Sequence, residues 1–133
     1  MISVNPYFIT DLLSPITGLA DDDEAVEQYK YIDTTNDIYY REIIRNEIRM
    51  YYNCLNSVKK EKVKRALNYY LATSEIDFER VFESCLPPFD PPKDARDFFV
   101  WIWEEFYGGE VYEVPNKAIY VINSDVNEPN RSS

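Results

Sequence analysis

Between Asn36 and Leu55 apolar side chains recur every three or four residues, at Tyr40, Ile44, Ile48, Tyr51 and Leu55. That spacing gathers them on one stripe of an α-helix. Glu42, Arg45, Asn46, Arg49 and Asn53 fall on the opposite side, so the segment predicts a long core helix with one wet face, capped by Thr34 or Thr35. After Asn56-Ser57 a second periodic run reaches about Thr73 and buries Val63, Ala66, Leu67, Tyr70 and Leu71. So short a link predicts that the two helices fold back as an antiparallel pair. With only three glycines in 133 residues, an all-β fold rich in tight turns is not expected.

Helix signals continue on both sides of this pair. Residues 6–13 read as a short opening helix closed by Ser14-Pro15. Asp21-Asp22-Asp23-Glu24 opens another to about Ile32, where four acids complement the positive end of a helix dipole. These acids lack the alternating ligands and central glycine of a calcium loop, and no metal site is expected. Ser74-Glu75-Ile76-Asp77 places a hydroxyl at a cap and a carboxylate three residues on, which opens a helix from Phe78 to about Leu86 that stops at Pro87-Pro88. Asp90-Pro91-Pro92 is expected to open the last helix, because proline is tolerated in a first turn, and Gly108-Gly109 ends it after Tyr107. Val111–Val114 and Ala118–Ile122 read as two strands turning at Pro115-Asn116. A lone hairpin is marginal in water, so this one must lie on the helices.

The fold class expected is therefore α+β and predominantly α-helical, with five or six helices and a small C-terminal antiparallel β-hairpin. Residues 1–123 are read as a single globular domain and 124–133 as a polar, frayed tail. Hydrophobic residues make up 45% of the chain and aromatics 16%, enough to bury a core without a disulfide or metal staple. No signal peptide and no membrane span is read from the sequence. Cys54 and Cys85 sit among apolar neighbours as reduced core thiols, and a cytoplasmic location is expected.

The chain contains no histidine, which removes the commonest general base, the usual nucleophilic triads and most zinc sites together. It has no glycine-rich phosphate loop either. We read it as a non-enzyme without cofactor. Its net charge of −10 is unevenly spread: residues 1–35 carry seven acids and one base, 36–73 four acids and eight bases, and 74–133 thirteen acids and five bases. Such an acidic bias repels nucleic acid and anionic membrane and favours encounter with a basic protein. The basic run Lys59-Lys60-Glu61-Lys62-Val63-Lys64-Arg65 spreads around a helix rather than lining one ridge, so it reads as a helix start paired with acidic flanks and not as a phosphate-binding patch.

The last predicted helix carries the candidate partner-binding surface. At about 100° per residue, Ala95, Phe99, Ile102, Trp103 and Phe106 gather on one side. Asp94, Asp97, Glu104 and Glu105 gather on the other, with Trp101 at their centre; Glu110, Tyr112 and Glu113 continue the surface. A tryptophan amid carboxylates fits a binding anchor with steering charges around it. The same arithmetic fits a Trp101 covered by the N-terminal segment or the hairpin, with acids at its rim. Twelve tyrosines, several in adjacent pairs, add surface aromatics that bind at low entropy cost or simply rim a small core.

The stretch Leu86-Pro87-Pro88-Phe89-Asp90-Pro91-Pro92, feeding Arg96-Asp97-Phe98-Phe99-Val100-Trp101-Ile102-Trp103 within a small acidic helical chain, resembles bacterial immunity proteins of the contact-dependent growth inhibition type. The resemblance covers about residues 74–123. Immunity proteins share a task and not one fold, so it carries over no functional residue. It implies a stoichiometric inhibitor that neutralises a cognate basic toxin nuclease domain by occluding its active site or substrate surface. The alternative reading is a phage-type acidic DNA mimic, an anti-restriction or anti-CRISPR inhibitor, which requires acids in regular rows. A subunit of a larger assembly is a third.

Overall fold

Helix formation follows the sequence pattern, but the long helix is interrupted. In the computed structural model, which describes residues 1–131, Asn36 caps α3 (Asp37–Ile43) by accepting from the Ile38 N–H at 3.0 Å. A π-helical turn, Ile44–Ile48, then leads into α4 (Arg49–Asn53). The widened turn keeps Ile44 and Ile48 fully buried and rotates the helical residues beyond it. Tyr51 now reaches Asp11 with its hydroxyl, while Tyr52 stacks 4.5 Å from Phe106. Of the two thiols expected in the core, Cys85 is buried, but Cys54 is exposed where α4 ends.

Helix α5 (Ser57–Thr73) packs chiefly against α1 (Tyr7–Leu12), α7 (Ala95–Tyr107) and strand β1 (Ile2–Val4), rather than against the helix before it. Its core face is Val63, Ala66, Leu67 and Tyr70. Between α1 and α3 lies the acid-opened α2 (Asp23–Tyr29), capped by the Asp22 carboxylate. Helix α6 (Phe78–Ser84) packs on α7, and their facing aromatics Phe78, Phe82, Phe98 and Phe99 form a chain of ring contacts with centroids 4.9–5.8 Å apart. Such edge and tilted contacts suit the ring quadrupoles. One helix cap and one helix start differ from what the sequence predicts, although α6 does open at Phe78. Asp77, not Ser74, caps α6, because Ser74 has turned left-handed (φ 55) to end α5. Asp94 caps α7, leaving Asp90–Lys93 outside the helix with Pro88 and Phe89 buried beneath.

The expected antiparallel hairpin does not form. Residues 111–114 find their partner in a side chain: Asn68 on α5 donates to the Glu113 carbonyl and accepts from the Glu113 N–H, both at 2.9 Å. Asn116 turns the chain differently as well, accepting from the Ala118 N–H to open a 3₁₀ turn over Lys117–Ile119. Strand β2 (Tyr120–Ile122) then pairs in parallel with β1, Ile2 opposite Tyr120 and Val4 opposite Ile122. The only sheet among the described residues is thus a two-stranded parallel one that joins the ends of the chain. With α8 (Glu128–Arg131) there are eight α-helices among the described residues rather than five or six.

The segment read as a frayed tail is tied down as far as Arg131. Asn5, itself buried, donates to the Asp125 carbonyl at 2.9 Å and to Glu128 at 2.8 Å, Lys62 pairs with Glu128, and Pro129 is buried. The most enclosed ion pair among the described residues lies nearby. Lys59, 4% exposed, holds Asp11 at 3.0 Å, and the Tyr51 hydroxyl donates to the same carboxylate oxygen. No helix among the described residues is long and apolar enough to cross a membrane.

One acidic tether fixes the approach to β2. Glu75 pairs with Lys117 and accepts from the Tyr69 hydroxyl at 2.6 Å. Lys117 first, then Tyr69, hold the Glu75 carboxyl below its usual 4.5, and the Tyr69 phenol is pushed up to about 12, chiefly by its bond to Glu75. A carboxylate whose pKa is depressed by folding stabilises the fold above its unfolded pKa and loses that contribution as pH falls through the folded value. Glu75→Gln is therefore expected to destabilise at pH 7 and to converge with the wild type below the usual carboxylate range. Urea midpoints for both proteins between about pH 7 and pH 3 check this; a constant gap would refute it.

Candidate protein-binding surface

The acidic side of α7 turns inward onto α3. Arg41 binds Glu104 at 2.6 Å and Glu105 at 3.2 Å while also holding Asp37 at 2.7 Å, and Arg45 reaches Glu105 at 2.8 Å. Burial works against the Arg41 charge, but its bonds to these three carboxylates prevail and raise its pKa above the ordinary value. Trp101 is half-buried in the same seam, its ring 5.6 Å from Tyr40 and 5.8 Å beneath the Arg41 guanidinium. Helix α3 thus supplies cover for Trp101, and the expected hairpin is not there to do so. Glu104, Glu105 and Trp101 form a helix–helix contact with a cation–π component.

Glu110, Tyr112 and Glu113 are also engaged within the fold. Lys64 holds the Glu110 carboxylate at 2.8 Å, and the Glu110 carbonyl accepts from the Trp103 indole at 2.6 Å. Tyr112 stands edge-on to Trp103 with Arg96 over its ring. Glu113 docks its backbone on Asn68 and leaves its carboxylate exposed.

Asp94 and Asp97 stay outside. They line an open groove of about 560 Å³ with Asp77 and Glu79 from the start of α6, floored by Ile76 and Phe78 and edged by Lys93 and Arg96. Asp77 and Asp94 act as caps, accepting from the Arg80 and Arg96 N–H groups, whereas the exposed Glu79 and Asp97 carboxylates meet no cation among the described residues. In the sequence Asp77 and Glu79 signal only a helix start. Their place beside Asp94 depends on how α6 packs on α7.

Further acids are exposed and meet no cation among the described residues: Asp21, Asp23 and Glu24 at and before the start of α2, Glu42 on α3 and Glu47 on the π turn. The seven acids against one base in residues 1–35 signal the first three of these, whereas Glu42 and Glu47 belong to the basic middle third. By contrast most cations of the basic middle third are paired internally, Lys59 with Asp11, Lys62 with Glu128, Lys64 with Glu110, Arg65 with Glu61, and Arg41 and Arg45 with α7, whereas Lys60 lies over the Tyr52 ring and Arg49 is exposed. No group that could hold a metal ion occurs among the described residues. The chain matches no protein-family model, curated protein or solved structure.

Proposed function

We propose that this protein is a stoichiometric inhibitor of the immunity type, which binds a basic toxin nuclease domain and covers its active site or substrate surface. The observation that carries this reading is the sorting of charge by the fold. Most cations of the middle third are engaged with carboxylates inside the molecule, while acids such as Glu79, Asp97, Glu24 and Glu42 are exposed with no cation among the described residues. A surface on which unpaired acids outnumber unpaired cations attracts and orients a partner of the opposite sign.

Calorimetry of the full chain against the product of the adjacent upstream gene tests it. A one-to-one complex with Kd of about 10 nM or tighter is expected. Absence of a complex would refute the reading, and salt-sensitive capture of unrelated DNA-binding proteins would point to phosphate mimicry instead. Within that complex, Glu79→Lys combined with Asp97→Lys is expected to weaken binding at least about tenfold without unfolding the chain, since both carboxylates are exposed. Unchanged affinity would remove the α6–α7 groove from the interface. Trp101→Ala is unsuited to this test, because its ring packs on Tyr40.

A further inference from the structure

We infer that the outer face of α3, with Tyr31 before it, is an anchoring site for a basic protein segment that presents one apolar side chain between lysines or arginines. This rests on the reading of the chain as a binder of basic proteins and names a surface outside the α6–α7 groove. Ile38 is 61% exposed and Tyr31 53%, large apolar groups on which the core makes little claim. The Tyr31 ring stands edge-on to Tyr39 with centroids 5.5 Å apart, and Ile38 is the neighbouring residue on the same helix. A depression of about 100 Å³ at Tyr31 is lined also by Tyr29, Glu42, Ile43, Asn46 and Glu47.

The rim decides the occupant. Glu42 lies one turn beyond Ile38 and is exposed with no cation among the described residues, as is Glu47, and Asp33 sits two residues from Tyr31. Hydrogen bonds from the Thr35 side chain and backbone lower the Asp33 pKa. Two copies of this chain meeting here would set carboxylates against carboxylates, so a second copy is disfavoured. An apolar side chain against Tyr31 and Ile38, with cations falling on Glu42, Glu47 and Asp33, satisfies both parts of the surface. Rigid aromatics ringed by steering charge are a usual composition of a binding hot spot.

Selection of a random phage-displayed peptide library on the full chain tests the inference, with affinities of the enriched peptides measured by fluorescence anisotropy. Enriched peptides are expected to carry Lys or Arg around an aliphatic or aromatic residue, and to lose at least about tenfold in affinity for Tyr31→Ala/Ile38→Ala while that variant keeps the wild-type melting curve. Peptides that bind this variant unchanged, or that lack basic residues, would overturn it. If the enriched peptides lose affinity only for Glu79→Lys/Asp97→Lys, the basic-partner reading stands and this surface falls. No enrichment at all would count against both.

Discussion

Replacing Trp103 by alanine is expected to remove about 4 kcal/mol of stability, the range seen when a large aromatic is deleted from a packed core. Trp103 is 2% exposed and stands where α7 meets the chain beyond it. Its ring lies 4.5 Å from Tyr107 and 5.9 Å from Tyr112, and its indole N–H donates to the Glu110 carbonyl. Alanine empties that site and loosens residues 110–114, which keep Arg96 on Tyr112, Lys64 on Glu110 and Asn68 on Glu113. Trp103→Phe keeps most of the apolar contact and loses the hydrogen bond, so about 1 kcal/mol is expected. Urea denaturation gives both values, and cleavage at Glu110 and Glu113 by a glutamate-specific protease reports the loosening. A loss below about 1 kcal/mol for the alanine variant would show that the pocket collapses around the gap.

Lys59→Ala is expected to cost about 3 kcal/mol, because the Asp11 carboxylate would remain enclosed with the Tyr51 hydroxyl but no cation beside it. Much of that cost is the stranded charge and not the strength of the pair. The same substitution in an Asp11→Asn background should therefore cost less than about half as much, a coupling that a double-mutant cycle in urea measures directly. Equal costs in both backgrounds would mean that the lysine acts through packing of its aliphatic stem alone. Against a total stability of about 5–15 kcal/mol for a domain of this kind, either variant is a severe one.

The basic run around Lys59 illustrates what spacing in the chain conveys and what it omits. Helical phase spreads Lys59, Lys62, Lys64 and Arg65 around α5, and they serve different neighbours: Asp11 in α1, Glu128 in α8, Glu110 beyond α7, and Glu61 with the Ser3 carbonyl. The charge blocks of the sequence imply pairing with acidic flanks, but they do not say which acids are used. The acidic side of α7 depends on its surroundings in the same way. A helical projection separates Asp94, Asp97, Glu104 and Glu105 from the core face, yet it contains no neighbouring helix. Once α3 brings Arg41 and Arg45 alongside, the half of that surface nearer the C-terminus becomes an internal contact and the half nearer the N-terminus stays open.

The absent hairpin marks the limit of local pattern in another way. Val111–Val114 and Ala118–Ile122 have strand composition, and Pro115-Asn116 has turn composition, but backbone groups can be satisfied by any partner of suitable geometry. Asn68 offers one such partner to Glu113, and Ile2–Val4 offers another to Tyr120–Ile122. Both partners lie dozens of residues away, so no window along the chain contains them.

Most of the helices and their inner faces are legible in the chain alone: the apolar positions of α5 and α7, the acidic start of α2, and the stop at Gly108. These depend on residues within a turn or two of each other. The π turn, the parallel pairing of the two ends, and the choice of which carboxylates are neutralised and which face a partner arise only when the elements pack. Those outcomes depend on distance in space, where a cation within about 4 Å offsets an acid whatever their separation in sequence.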